Sequence, residues 1–258
     1  MSRVNAVILG SGTSHGVPMI ACQCAVCTSD DPKDKRTRSS LFVRVGGQRI
    51  LVDTSPELRL QCVANGIDAI DAILYTHHHA DHVLGIDDLR RFNWTTHREV
   101  PCFGRPRTLD ALRSMFRYAF EPVPGSPHSR PCLDLIELDG TPFRLGDVSV
   151  TPISLLHGRL EVLGFRFSNL AYCTDCNYIS EASLALLEDL DVLILDALRH
   201  TPHPAHFNLE QAIAMARRIG ARRTYFTHIA HELGHEATNR DLPDSMALAH
   251  DGLRIECT

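Results

Sequence analysis

Residues 71–82 read "DAILYTHHHADH". The apolar run Ala72–Tyr75 has the length and composition of a buried strand, and it leads straight into a cluster of ligand-type side chains. On an extended strand, residues i and i+2 point the same way. His77 and His79 can therefore share one metal ion, while His78 points elsewhere. Asp81 and His82 follow at the turn into a helix and can face a second ion beside the first. In a purely structural role, H-x-H-x-D-H would leave several costly polar groups unexplained.

A closed structural zinc takes four protein ligands, and a catalytic one keeps a position open, so one loop rarely completes either. The remaining donors recur in one form along the chain. "VTPISLL" runs into His157, "LAYCTD" ends in Asp175, and "RTYFTH" ends in His228. Each is a hydrophobic strand closed by a ligand-type residue, which places all three on one rim of a sheet. "RILVD" ends in Asp53 and "VLILD" in Asp196 in the same way.

Further strands are expected in "NAVILGSG" and "SSLFVRVGGQRILVDTS", with a Gly-Gly turn inside the second. Helices are expected in "PELRLQCVANG", closed by Gly66, and in "DHVLGIDDLRRFNW", "SEASLALLEDL" and "NLEQAIAMARRIG". "EPVPGSPHSRP", residues 121–131, reads as a Pro-rich loop. Grouped strands with interspersed helices indicate an α/β layered fold.

The chain has 258 residues and a formal net charge of -5, which argues against a general nucleic-acid-binding surface. The apolar run in "MSRVNAVILG" is too short for a signal peptide. No apolar stretch is long enough to span a bilayer, so no membrane role and a cytoplasmic location are expected. Nine cysteines, an odd number, fit disulfide pairing poorly. Cys62, Cys102, Cys132 and Cys257 read as packed or surface thiols. Cys173 and Cys176 flank Asp175 as C-x-x-C, a spacing used in metal and redox sites, but at the end of a buried strand they read more simply as packed thiols.

The order H-x-H-x-D-H, then His157, Asp175 and His228, resembles the metallo-β-lactamase superfamily over nearly the whole chain. The resemblance implies a single domain over residues 1–258, folded as a four-layer αββα sandwich with a dinuclear metal site at one edge. It puts His77, His79 and His157 on one metal and Asp81, His82 and His228 on the other, with Asp175 bridging. Asp53 matches a position that supports the ligand loop. The all-nitrogen-and-oxygen donor set suits zinc and is also compatible with manganese or iron. Two such ions activate a bridging water and stabilise the oxygens of an in-line displacement, which is hydrolase chemistry suited to phosphodiesters.

Within the superfamily, "HFNLEQA" at residues 206–212 resembles a segment of tRNA 3′-processing endonucleases and of PhnP-type phosphoribosyl cyclic phosphodiesterases. There the histidine protonates the leaving oxygen. His206 is the implied general acid, His203 its competitor in the same loop, and Asp196 could orient His206. Asp81, His203 and His206 are thus the candidate catalytic residues. The tRNA enzymes carry a long insertion between the third histidine ligand and the bridging aspartate. Here only residues 158–174 intervene, which disfavours tRNA.

"GSGTSHGVP" followed by Cys22, Cys24 and Cys27 is similar to the opening of PhnP-type enzymes. In that group the three cysteines hold a structural zinc together with a histidine placed as His231 is here. Cys₃His is a closed structural composition. "GSGTSHG" itself reads as a tight hairpin, with His15 unassigned. The expected activity is hydrolysis of a small phosphodiester, such as a cyclic ribose phosphate. The alternatives are a lactone or thioester hydrolase on the same scaffold, or a non-hydrolytic cofactor-biosynthesis protein. A homodimer is implied by resemblance alone. The substrate pocket is expected among loops such as residues 92–130.

Overall fold

The computed structural model describes residues 3–121 and 130–257, so most of the Pro-rich stretch lies outside the described residues. In the first half the elements are β1 (Val4–Gly10), β2 (Ser40–Val45), β3 (Gln48–Val52), α1 (Leu58–Asn65), β4 (Ala72–Leu74), α2 (Ala80–Val83), α3 (Arg90–Thr96), β5 (Val100–Gly104), α4 (Pro106–Met115), α5 (Arg117–Phe120) and β6 (Leu133–Glu137). In the second they are β7 (Phe143–Leu145), β8 (Val148–His157), β9 (Leu160–Phe167), β10 (Leu170–Cys173), β11 (Tyr178–Ile179), α6 (Glu181–Ala185), β12 (Val192–Asp196), α7 (Leu209–Ile219), β13 (Arg223–Thr227), α8 (His235–Asp241), β14 (Met246–Leu248) and β15 (Arg254–Cys257).

The strands form two mixed sheets. The first has the order β15-β1-β2-β3-β4-β5-β6, and the second β11-β8-β9-β10-β12-β13-β14, with β7 on β8. Alternation along each strand decides the layering. Val4, Ala6, Ile8 and Val52 of the first sheet meet Val150, Phe165, Tyr172 and Ile194 of the second in a core between the sheets. The opposite faces are apolar too. Val7, Leu9 and Ile73 pack under Leu58, Phe92 and Leu112 of the first helical layer. Leu155, Leu193 and Phe226 pack under Ala212 and Ala216 of the second. The result is the αββα sandwich. The Gly-Gly turn joins β2 to β3 with positive φ at both Gly46 and Gly47, which suits a two-residue hairpin.

Two expected helices differ. Residues 81–94 break into α2, a 3-10 helix over Leu84–Leu89, and α3. The cause is tertiary: Thr54 N–H donates to the His82 carbonyl and Gly85 N–H to the Thr54 carbonyl, drawing backbone groups out of the helical ladder. A Cβ at position 85 would come within 2.1 Å of the Ser55 carbonyl oxygen, so only glycine allows this approach. "SEASLALLEDL" is helical only over α6; beyond it the Leu186 carbonyl accepts from Arg166, and Asp189 takes a φ of 56°.

The segment 11–17 is also not a hairpin. Gly12 bridges both Arg38 and Ile229, and Val17 pairs with Arg36, so it stitches the start of the chain to two distant segments. Residues 92–121 contribute helices and a strand more than loops. Among the described residues no helix is long and apolar enough to cross a membrane.

Candidate metal centre

The site lies outside the carboxyl ends of the parallel strands, where open α/β sheets ordinarily place a ligand crevice. β4 delivers His77 and His79, β10 delivers Asp175, and β13 delivers His228, while β8 brings His157 in from its antiparallel hairpin. The donor atoms of His77, His79 and His157 lie within 4.8 Å of one another, as do those of Asp81, His82, Asp175 and His228. Asp175 also falls within the same distance of His157 and His206, so it stands between the two sets. His82 Nε2 is 3.2 Å and His228 Nε2 3.1 Å from opposite oxygens of Asp175, and Asp81 lies 3.3 Å from His82 Nε2. His78 is half-buried and belongs to neither set.

These residues fit a pair of divalent ions. Nε2 of His77, His82 and His228 is buried without a hydrogen-bond partner, although buried polar atoms are nearly always satisfied. Five imidazoles and two carboxylates form a nitrogen-and-oxygen set suited to zinc or manganese. Burial pushes the Asp175 carboxyl up, but His228 and His82 outweigh it and hold it well below the usual carboxylate range. Burial drives the His77 imidazole well below its usual value, so it is a neutral donor.

The far side of each ring is held. His82 Nδ1 donates to Asp53 at 2.7 Å, and His157 Nδ1 donates to the Ala205 carbonyl at 2.9 Å, which leaves Nε2 of each for a ligand. Asp53 also accepts from the Thr76 backbone and hydroxyl, both at 2.8 Å, and so fixes the turn that carries the histidine run. Asp53, Asp175 and His228 all have positive φ, at 61°, 54° and 59°. Each strand thus ends in a left-handed residue that turns its side chain or loop across the rim.

His206 sits beside both donor sets, with its ring centroid 4.5 Å from that of His157 and 4.6 Å from that of His228. Its Nδ1 meets Asp196 Oδ1 at 3.2 Å, and the other oxygen of Asp196 accepts from Phe207 N–H at 3.0 Å. Two residues on, Asn208 and Gln211 form a capping box that opens α7 and anchors the loop. Burial pulls the His206 imidazolium down, but Asp196, aided by Asp175 and Asp81, overcomes it and raises the pKa to about 9. His203, with ring centroid 5.0 Å from that of His206, is shifted the other way by burial and by the positive charge of His206. In the metal-free protein His206 is therefore the more readily protonated of the two.

Cys22, Cys24, Cys27 and His231 form a separate donor set within 4.8 Å of one another. All nine cysteines are free thiols, so no disulfide competes for these three. His231 Nδ1 lies 3.2 Å from Cys22 Sγ and 3.3 Å from Cys24 Sγ. The Cys27 N–H and His231 pull the Cys24 thiol down to about 6, whereas burial raises Cys27 to about 11. The composition and convergence fit one structural zinc.

Cys173 and Cys176 are fully buried, and burial keeps both protonated, as packed thiols require. His235, in a "HEAT" string over residues 235–238, packs 5.6 Å from His250 and belongs to neither metal set.

The sequence gives little warning of Arg36, which sits in a charged run that reads as solvated surface. Its side chain is fully buried, donating to the Ala230 and Leu233 carbonyls and pairing with Asp34 at 3.1 Å. Asp34 in turn accepts from His235 N–H. The pair thereby fixes the loop that contains His231, three residues after His228.

The family model described as the beta-lactamase superfamily domain matches residues 48–229, a span that includes all seven rim donors. The chain is 38% identical over 255 residues to the octanoyltransferase of Porphyromonas gingivalis, covering 97% of this chain and 51% of that one, so it spans about half that relative's length. It is 30% identical over 222 residues to the coenzyme PQQ synthesis protein B of Methylorubrum populi, covering 75% of this chain and 72% of the relative. Among solved structures it matches a new diphosphatase from the PhnP family with a TM-score of 0.93 and 43% identity, over 100% of this chain and 98% of that one. Zn(2+)-bound PqqB from Methylobacterium extorquens matches with a TM-score of 0.78 at 23% identity, over 97% and 99% of the two chains, a likeness of fold alone.

Proposed function

The chain belongs to the metallo-β-lactamase superfamily, and from that premise we propose that it is a metal-dependent phosphodiesterase acting on a small phosphodiester. One observation carries the reading: His206, oriented by buried Asp196, stands against the metal donors without being needed to complete either set. A proton donor so placed suits departure of an alkoxide. The similarity to a diphosphatase of the PhnP family supports the same chemistry at phosphorus.

His77, His79 and His157 would hold one ion and Asp81, His82 and His228 the other, with Asp175 shared. Zinc or manganese bound there supplies Lewis acidity and an activated water. The protein's own work is to orient and to protonate. Asp53 and the Ala205 carbonyl hold His82 and His157 with Nε2 forward. Water gives up one proton to solvent as it adds to phosphorus, the bond from phosphorus to the leaving oxygen breaks, and the electron pair stays with that oxygen. His206, held through Nδ1, gives that oxygen its proton from Nε2, and Asp196 stabilises the imidazolium until then. Cys22, Cys24, Cys27 and His231 would hold a structural zinc.

A short β9–β10 segment between His157 and Asp175 leaves no room for a protruding tRNA-gripping arm, so a small ester is the better substrate. The relative named octanoyltransferase extends well beyond this chain, and its name assigns no role to the residues here. The likeness to coenzyme PQQ synthesis protein B keeps a non-hydrolytic role as the second reading.

Purified protein loaded with Zn²⁺ or Mn²⁺ should hydrolyse both bis-p-nitrophenyl phosphate and a ribose cyclic phosphate. His206→Ala should lower turnover of the ribose ester by about 10²–10⁴-fold. The loss with bis-p-nitrophenyl phosphate should be much smaller, because nitrophenolate leaves without a proton. His203→Ala should change the ribose reaction only slightly. Cleavage of a lactone or thioester but of neither phosphodiester would overturn the proposal.

A further inference from the structure

Asp251 stands in the turn between β14 and β15, within "AHDGL" near the end of the chain. The turn is pinned to β1: Gly252 N–H donates to the Ile8 carbonyl at 2.8 Å, and Ile8 N–H to the Leu253 carbonyl at 2.9 Å. Asp251 belongs to neither metal set. Its carboxylate nevertheless accepts four hydrogen bonds from two segments far away in the chain. Oδ1 accepts from Ser11 N–H and from the Ser11 hydroxyl, both at 2.8 Å. Oδ2 accepts from Thr37 N–H at 2.8 Å and from the Thr37 hydroxyl at 2.6 Å.

Each oxygen begins a path to a rim donor. On the first path the Ser11 carbonyl accepts from Ile229 N–H at 2.9 Å, and the Ile229 carbonyl accepts from Thr13 N–H at 3.1 Å. The residue that follows His228 is thus held on both sides. On the second path Thr37 Oγ1 accepts from Gln61 Nε2 at 2.8 Å, and Gln61 Oε1 accepts from the Ser55 hydroxyl at 2.9 Å. Ser55 follows Asp53 and Thr54, which hold the ring and the carbonyl of His82. Ser11, Ser55 and Gln61 are all buried, so a broken link leaves polar groups unsatisfied. The Arg38 carbonyl also accepts from Gln61 Nε2, at 2.9 Å, which fixes the way the amide faces. The direction of every bond on the second path follows: Ser55 donates to Gln61, Gln61 to Thr37, and Thr37 to Asp251. With four donors on two oxygens, only a carboxylate completes both paths.

We propose that Asp251 is a positioning residue that ties His82 and His228 to each other, and so sets the affinity for the ion these two would share with Asp81. The assignment rests on the reading of the rim as a metal pair. Neither path ends on His79 or His157, so the ion held there should feel the loss of Asp251 less.

Ion retention tests this. Zinc-loaded wild type, Asp251→Asn and Ile255→Ala would be dialysed against graded chelator and the remaining zinc counted by elemental analysis. Asparagine keeps the shape but turns an NH₂ toward one pair of donors, and a backbone N–H among them cannot turn away. One rim ion of Asp251→Asn should leave at about tenfold lower chelator concentration or less. The other rim ion and the Cys₃His zinc should leave as in wild type. Gln61→Leu, which cuts the second path alone, should loosen the same ion by a smaller factor. Ile255→Ala thins the core beside the turn without a bond to either path, and should melt earlier with ion retention unchanged. With Co²⁺ in place of zinc, visible absorption should change in Asp251→Asn and not in Ile255→Ala. Earlier melting of Asp251→Asn with wild-type ion retention would make its role merely structural and overturn the proposal. So would loosening of the same ion in Ile255→Ala. If Asp251→Asn does not fold, Gln61→Leu and Thr37→Val decide by the same count. A wild type that retains no rim ion overturns the proposal together with the metal pair. Retained ions without turnover of either phosphodiester defeat the phosphodiesterase reading alone, and the ion count still decides the role of Asp251.

Discussion

Asp53, Asp175 and His228 adopt left-handed backbone conformations. For an L-residue this costs about 1–2 kcal/mol, least for aspartate. All three stand where a strand must stop and turn its last side chain or its loop toward the rim. Strand endings in Asp or His are visible in the sequence because they interrupt an apolar run, whereas the sign of φ has no such marker. At His206 the pKa shift has a measurable consequence. In metal-free protein burial lowers the His206 pKa, but Asp196, aided by Asp175 and Asp81, overcomes it and raises the pKa from 6.5 to about 9. A raised folded pKa makes the pair fully stabilising below about pH 6.5, and that gain is lost as pH rises through about 9. Melting curves of chelator-treated wild type and Asp196→Asn should therefore differ most at about pH 6 and converge by about pH 10. A gap that stays constant with pH would rule the linkage out.

At the scale of elements, the loops are held more by tertiary contacts than by local propensity. Residues 81–94 have helical spacing, yet Thr54 and Gly85 draw the chain into three short pieces. A sequence cannot show that Ser55 will pass within touching distance of residue 85. In the same way, the charged run around Arg36 looks like a solvated surface until Ala230 and Leu233 are placed over it. Arg36→Ala would strand Asp34 and two carbonyls in a buried site, and should lower folding stability by about 3–5 kcal/mol. Urea unfolding would measure this, and a loss under about 1 kcal/mol would mean that water replaces the guanidinium. By contrast, α7 was readable from sequence, because its apolar face, its start at Asn208 and its closing Gly220 are all local signals.

Across the whole molecule, two sheets carry two groups of candidate metal donors, the rim and the Cys₃His set. The layer order follows from strands apolar on both faces, and the rim follows from strands that end in ligand-type residues. The cavity beside His206 did not follow from local pattern, because its walls come from three segments far apart in the chain. Elemental analysis of protein purified without chelator should find about three divalent ions per chain, two at the rim and one in the Cys₃His set. Cys24→Ser should lose the third, melt earlier, and release the ion at His228 more readily, since His228 and His231 share a loop. Unchanged melting with a full complement of ions would separate the two sites.

The first sheet closes through β15, whose Cys257 and Ile255 sit opposite Val4 and Ala6 of β1. Gly12, just beyond β1, bridges Ile229, next to His228. During synthesis, β1 and the histidine run leave the ribosome long before the strand that will flank β1 and the loop that will complete the rim. Such distant pairings form slowly. The nascent chain must therefore carry an unpaired strand edge on β1 and, three strands away after β4, a cluster of open imidazoles until the later segments are made. Unpaired edges of this kind are aggregation-prone in partly folded chains, so the exposure ends only when β15 is in place.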